Sequence, residues 1–181
     1  YNCHLKPHIS QLMNKHTNIC LNVILDHSRH LLNRLHDNSI DVCFSYLATN
    51  EISYKCIPYK TDEIIFVTNS QNIQFSNGIH NSEILHLPII HSKFMPKSGF
   101  DWIHDIFPPH YVFQFTISVI KEIIPFLLQY PYYAFLPRKL IENELKDGLL
   151  IEIPLLDYHI PPLQSYIIMK SNAKYNPLDY F

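Results

Sequence analysis

The chain has 181 residues, of which 47% are apolar, and a formal net charge of −2 from 14 basic and 16 acidic side chains. The sequence contains no lysine or arginine cluster, which argues against a nucleic-acid surface in this segment, and no apolar run approaches the ~20 residues of a membrane span. No signal peptide is visible, so we expect a soluble, cytoplasmic protein. The pattern begins inside a helix and stops as another helix starts near Asn176, which is typical of an excised domain.

The first part of the chain predicts a helix and then a strand–helix–strand unit. Residues 7–16 have helical spacing. Segments 19–25 and 40–44 are rich in apolar and β-branched residues, as buried strands are, and leucines at helical spacing lie between them. A βαβ unit this short requires parallel strands. The amides that open its helix then face the sheet edge where small ligands usually bind.

The rest of the chain continues the alternation of strands and helices. This favours two α/β lobes joined by two crossover strands, with lobe I at 1–68 and 163–181 and lobe II at 69–162. Further strands are predicted at 53–57, 64–68, 88–91, 111–115, 132–136 and 165–169, and further helices at 82–85, 98–107, 118–128 and 138–146.

The strand–helix–strand segment resembles the effector-binding domain of LysR-type transcriptional regulators. That family has a Ser or Thr at the helix start, a Leu-rich helix, then Gly-x-Leu-Asp and a strand. Here Ser28 begins the helix, and Leu31-Leu32-Asn33-Arg34-Leu35 is followed by Asn38-Ser39-Ile40-Asp41-Val42. Asn38 replaces the usual glycine, and both residues tolerate the left-handed backbone that stops a helix.

A second block agrees with the same family at the expected distance. An apolar helix at 118–128 precedes a strand that ends in Leu136-Pro137, then a helix, and then Gly148 before Leu149-Leu150. The family places a helix, a strand ending in Leu-Pro, a helix and Gly-x-Leu in this order. One departure is Tyr130-Pro131-Tyr132 where the family often has Gly-x-Gly, so phenols and a proline fill backbone space near the cleft.

The resemblance implies a function and an architecture. The fold expected is that of type 2 periplasmic binding proteins, with two Rossmann-like lobes. The domain would sense a small-molecule effector and mediate dimerisation, as a homodimer or homotetramer. A winged helix-turn-helix outside this chain would carry the parent protein to DNA.

A cleft between two such lobes is lined by strand ends and helix N-termini, which suit an anion, most simply a carboxylate. The resemblance places Ser28, Ser92 and Thr116 near hydroxyls that hold effectors in the family. Capping is the alternative role for Ser28 and Ser118, and core packing is the alternative for Tyr46. The candidate effector-binding residues are His27, Ser28, Ser45 and Tyr46 in lobe I and His91, Ser92, Thr116 and Ser118 in lobe II, with Lys93 and Lys97 as possible anion-steering charges.

The cysteines and histidines leave several alternatives open. None of the four cysteines forms a Cys-x-x-Cys pair, which favours buried thiols in a reducing cytosol over a redox switch. Among the 12 histidines, His4 with His8 and His27 with His30 have helical metal-pair spacing. No spacing fixes a third ligand, so we expect no metal and no cofactor, while a role in pH sensing stays open.

Two other classes of function compete with the regulator. A solute-binding protein of a transporter has the same architecture and would need a signal peptide or lipid anchor upstream. An enzyme would need a nucleophile with its base, paired carboxylates or a metal site. The sequence has no Gly-x-Ser-x-Gly, phosphate loop or His-Glu-x-x-His motif, so we expect no catalytic activity.

Overall fold

The computed structural model describes residues 4–16, 18–92 and 102–172. The described residues form six helices and eight strands, with three additional 3-10 turns, at Ile73–Phe75, Ile120–Ile123 and Arg138–Ile141. The helices are α1 (Leu5–Lys15), α2 (Ser28–His36), α3 (Asn81–Ile84), α4 (Ile103–Ile106), α5 (Ile124–Gln129) and α6 (Glu142–Lys146); the strands are β1 (Val42–Ser45), β2 (Tyr54–Asp62), β3 (Ile64–Asn69), β4 (Ile90–Ser92), β5 (Phe115–Ile117), β6 (Tyr133–Pro137), β7 (Leu150–Glu152) and β8 (Leu163–Lys170).

The chain divides into two compact units. The first takes residues 1–61 and 164–181, and the second takes 62–163. The change of unit after Thr61 comes earlier than the crossing predicted near Thr68. The reason is β3, which forms its ladders with β6 and β7 inside the second unit and therefore belongs there.

The first unit is built on a three-stranded sheet in the order β1-β8-β2. β8 pairs antiparallel with β1, with Val42 opposite Met169 and Ser45 opposite Tyr166. Helix α2 covers this sheet because its apolar face buries Leu35 against Cys43 and Ile168. Burying that leucine contributes roughly 2 kcal/mol relative to leaving it exposed.

The strand predicted at 19–25 is absent, and with it the parallel βαβ unit predicted at 19–44. Within the described residues this segment forms no ladder, and β1 pairs antiparallel with β8 instead. Leu21, Val23 and Leu25 are 40%, 42% and 65% exposed. An apolar, β-branched composition does not by itself make a strand, because a strand also needs a partner, and this segment pairs with none within the described residues.

Two helices stop as the sequence predicts. Asn38 after α2 has φ 60°, and Gly148 after α6 has φ 68°. In each case the next amide reaches back to the last turn, with Ser39 N–H donating to the Arg34 carbonyl and Leu149 N–H to that of Glu144, both over 2.9 Å. Asn38 therefore takes the left-handed stop that the resembling family gives to glycine.

The second unit combines an antiparallel sheet with a parallel strand pair. β3 lies between β6 and β7, antiparallel to both, while β4 and β5 are parallel to each other. A bridge between Ile89 and Tyr133 joins the parallel pair to β6. Helix α5, the 3-10 turns and the sheets enclose the core, whose buried members are Ile65, Val67, Ile90, Ile123, Leu127, Ala134, Leu136, Ile141 and Leu150.

Several boundaries in this unit differ from the prediction. β5 begins at Phe115, where the predicted strand 111–115 ends, because aromatic side chains at 111 and 113 pack together before the ladder starts. The predicted helix 118–128 becomes the 3-10 turn Ile120–Ile123 followed by α5, with Pro125 in the first turn of α5. Helix α4 occupies only the end of the predicted helix 98–107, whose first four residues, like the helix start near Asn176, lie outside the described residues.

Candidate functional site

In the first unit, the candidate residues lie where α2 begins and where β1 ends. His27 has extended backbone, with φ −63° and ψ 143°, and Ser28 opens the helix. The Ser28 Oγ accepts a hydrogen bond from the Tyr46 N–H over 3.3 Å, so the helix start is tied to the residue that follows β1. Ser28 is not the N-cap residue of α2. Its hydroxyl proton has no acceptor within the described part of the chain and is available to a ligand.

Ser45 ends β1 and Tyr46 follows it, and the two residues make different hydrogen bonds. Ser45 is 3% exposed. Its Oγ donates to the Leu47 carbonyl over 3.0 Å and accepts from the Leu47 N–H over 2.8 Å. Both functions of the hydroxyl are therefore used to shape its own turn. Tyr46 is half-buried and presents its amide to Ser28.

Asp26 belongs to this group, and the sequence analysis missed it. Its carboxylate accepts the His27 N–H over 2.8 Å and lies 2.9 Å from the His30 Nδ1, with the Arg34 Nε at 3.8 Å. The hydrogen bond from the His30 side chain, followed by that from the His27 amide, lowers the pKa of Asp26. The i, i+4 spacing of Asp26 and His30 across a helix start was the available signal.

In the second unit, the candidates lie at the carboxyl ends of the two parallel strands. His91 stands opposite Thr116, and Ser92 stands opposite Ile117. Ser92 is 1% exposed, Thr116 is half-buried, and Ser118 is exposed just after β5. No side-chain capping bond is made at the following 3-10 turn, whose cap position is Val119. The carboxyl edge of parallel strands is where α/β proteins usually bind ligands.

An aromatic wall flanks His91, and this too was missed. The His91 ring stacks on Phe113, with 4.2 Å between ring centroids and 13° between planes. Phe113 meets Phe107 and Tyr111 edge-on, at 4.8 Å and 5.0 Å. The aromatic density of residues 107–115 was the signal. Such a wall offers an apolar face to a ligand near Thr116, which stands opposite His91 in the ladder.

Other predicted groups are placed as follows. Within residues 4–16, 18–92 and 102–172, no three His, Cys, Asp or Glu side chains converge as metal ligands. Lys93 and Lys97 lie outside the described residues, as does Cys3. Cys43 is buried as predicted, whereas Cys56 is only half-buried, and Cys20 is exposed because its segment forms no strand. In the same described ranges, no helix is both long and apolar enough to span a bilayer.

The sequence matches the family described as LysR substrate binding domain over residues 1–178. The chain therefore belongs to this family, whose members are the effector-binding domains of LysR-type transcriptional regulators. The family is regulatory, and this match favours the regulator over the solute-binding protein of a transporter. No curated protein is detectably similar in sequence.

Solved structures agree with the family at the level of the fold. The regulatory domain of CrgA, a LysR-type transcriptional regulator from Neisseria meningitidis, superposes with a TM-score of 0.75 at 13% identity, over 96% of this chain and 85% of that one. An OxyR from Corynebacterium glutamicum gives 0.69 at 18% identity, over 94% of this chain and 55% of that one. The effector-binding domain of BenM with its effector benzoate gives 0.66 at 16% identity, over 98% and 82%.

These matches confirm the predicted fold class, an α/β fold of the type 2 periplasmic-binding-protein kind. The chain spans 55% of the OxyR chain and 57% of the longer CrgA chain, so it corresponds to about half of those regulators.

Proposed function

We propose that the chain senses a small-molecule effector on behalf of a DNA-binding parent protein. The observation that carries the proposal is the family match over residues 1–178. The parent would contact DNA through a winged helix-turn-helix outside this chain, since the 14 basic residues here form no cluster in the sequence. The chain itself acts by binding, without catalysis.

The effector we infer is a small carboxylate. In the first unit, the Ser28 hydroxyl and the first amides of α2 are donors suited to such a group. In the second unit, the Thr116 hydroxyl is such a donor, and the aromatic wall of Phe113 and His91 suits an apolar or aromatic body. The Asp26 carboxylate opposes a bare anion at Ser28, which favours Thr116 as the residue that binds the carboxylate.

Effector binding would act by changing how the subunits of the oligomer are arranged. A ligand shifts a conformational equilibrium only by its difference in affinity for the two states. We propose a cytoplasmic homodimer or homotetramer in which the effector favours one arrangement and so changes affinity for DNA. The roles of the two units as regulatory lobes I and II are part of this proposal.

The proposal is tested by thermal shift with a library of small carboxylates. Saturation at 100 times the dissociation constant adds about 2.7 kcal/mol to stability, enough to raise the Tm by several degrees. Ser28→Ala and Thr116→Ala should each reduce the shift. Ser10→Ala should leave it unchanged, because that exposed hydroxyl bonds only its own helix, donating to the Lys6 carbonyl. Equal shifts in all three variants would contradict the assigned site.

The parent protein is tested by sequencing the reading frame upstream of Tyr1. A basic helix-turn-helix and a linker helix there would support the regulator. A signal peptide or lipid-attachment motif would overturn it in favour of a transport receptor.

A further inference from the structure

A cavity lies in the first unit, at the end of α2 opposite to Ser28. It has a volume of about 380 Å³ and opens between the end of α2, the start of β2 and the end of β8. Ser28 begins α2 and His36 ends it, so the cavity is at the opposite end of the helix, roughly 12 Å away at 1.5 Å per residue. The lining residues are His36, Ser53, Tyr54, Lys170, Ser171 and Asn172.

The side chains that line the cavity have one chemical property in common. Every lining side chain carries a hydrogen-bond donor: an imidazole, an ammonium, an amide and three hydroxyls. No carboxylate belongs to the lining. The neighbouring Asp37 is 71% exposed and lies 3.3 Å from the His36 Nδ1, so the N–H of that ring is used by Asp37.

Lys170 is held in position by two oxygens. Its Nζ donates to the Asn38 Oδ1 over 2.5 Å and to the His36 carbonyl over 3.2 Å. An ammonium has three protons, so one N–H remains beyond these partners in the described residues. A fixed lysine loses little side-chain entropy when it binds a ligand, which strengthens the contact.

The wall formed by Ser53 and Ser171 is also held in position. The Ser171 Oγ donates to the Ile52 carbonyl, and its N–H donates to the Ser53 carbonyl, each over 2.9 Å. Ser171 therefore anchors the start of β2, where Ser53 and Tyr54 line the same cavity as Lys170.

We propose that this cavity binds the phosphate group of a small phosphorylated metabolite, at a site separate from the effector site. Four lining side chains with available donors suit a group with three or four oxygens, at one donor for each oxygen. The cavity volume exceeds that of the phosphate itself and leaves room for an organic body against the Tyr54 ring. The site does not depend on the function proposed above.

The test is an NMR titration of the ¹⁵N-labelled 181-residue chain with inorganic phosphate at constant ionic strength. Saturable shifts at the amides of 36–38, 53–54 and 170–172, with a dissociation constant below about 10 mM, are expected. Lys170→Gln should weaken binding at least about tenfold, because hydrogen bonds to charged groups are worth more than 1.4 kcal/mol. Lys60→Gln changes another lysine of the first unit, which does not line the cavity, and should leave the dissociation constant within twofold of the wild-type value.

Lys170 also holds the end of α2, so misfolding of Lys170→Gln would also weaken binding. A second pair of variants controls for this. Tyr54→Phe and Ser53→Ala remove donors without touching that contact, and each should weaken phosphate several-fold. Phenyl phosphate should bind tighter than inorganic phosphate if the remaining volume takes an organic body. Absence of saturation, or equal affinity in Lys170→Gln and Lys60→Gln, would overturn the proposal. Shifts centred on Ser28 and Tyr46 would likewise overturn it, by assigning phosphate to the effector site.

Discussion

Arg138 connects two strands of the second unit through their carboxylates. Its Nη2 donates to the Glu152 Oε2 over 2.6 Å and to the Glu63 Oε1 over 3.2 Å, while its Nε donates to the other oxygen of Glu63. The guanidinium therefore grips Glu63 with two parallel bonds, the strongest geometry for this pair. This hydrogen bonding lowers the pKa of Glu63.

Replacing Arg138 with glutamine should cost about 1 kcal/mol in the free energy of unfolding, since the group is 39% exposed and partly screened. Because the folded-state pKa of Glu63 lies below 4.5, its contribution is present above that pH and is lost as the pH falls further. Urea unfolding at pH 7 and pH 3.5 checks both statements. The difference between wild type and Arg138→Gln should shrink at the lower pH, while Lys121→Gln should change little at either.

Cys43 and Cys20 should differ sharply in reactivity. Burial of Cys43 raises the pKa of its thiol to about 12, so the reactive thiolate is scarce at neutral pH. Cys20 is exposed. Iodoacetamide at pH 8, read by peptide mass spectrometry, should label Cys20 in the native chain and Cys43 only after unfolding. Rapid native labelling of Cys43 would revive the redox-switch interpretation.

At the scale of residues, the position of a side chain could be predicted from the sequence, but its hydrogen-bond partner could not. Ser28 lies at the helix start as predicted, because the leucine spacing that indicates α2 is local in the sequence. Its bond to the Tyr46 amide, 18 residues away, was invisible because it depends on how β1 returns to the helix. The hydroxyl of Ser45 is used within its own turn, by Leu47 two residues away, and this local partner was not predicted either. Residue type alone does not show which hydroxyls are already occupied.

At the scale of elements, α5 offers a matched pair of leucines. Leu127 is 0% exposed within the core of the second unit, whereas its neighbour Leu128 is 37% exposed. Leu127→Ala should lower the free energy of unfolding by about 2 to 5 kcal/mol, through lost burial and a cavity. Leu128→Ala should cost less than about 1 kcal/mol. Equal losses of unfolding free energy in the two variants, measured by chemical denaturation, would mean that α5 turns a different face to the core.

Elements were predictable where both the pattern and the partner are local to one unit. The β6 strand and the helix stops at Asn38 and Gly148 appear where expected, because turn chemistry and a continuous apolar run agree there. Segment 19–25 fails for the opposite reason. Its composition is that of a strand, but strand formation depends on an edge from elsewhere in the chain, which no local pattern encodes.

At the scale of the whole molecule, the two units differ in continuity. The second unit occupies the single stretch 62–163 and contains both its sheets and its core cluster. Expressed alone, this stretch should fold, since domains of about 100 residues bury enough surface for independent stability. Cooperative urea unfolding and a dispersed NMR spectrum would confirm this. The fragment 1–61 serves as the control and should give neither, because it lacks β8.

The central position of β8 in the first sheet has a consequence for biosynthesis. Residues 1–61 leave the ribosome before residues 62–163, yet the strand that joins β1 to β2 is translated only after the whole of that stretch. At 5 to 20 residues per second, that interval is roughly 5 to 20 s. During this interval β1 and β2 lack β8 and expose their apolar side chains to chaperones. Of the two units, the one whose synthesis begins earlier is therefore completed later. A premature stop codon before β8 would therefore spare the second unit and abolish the first.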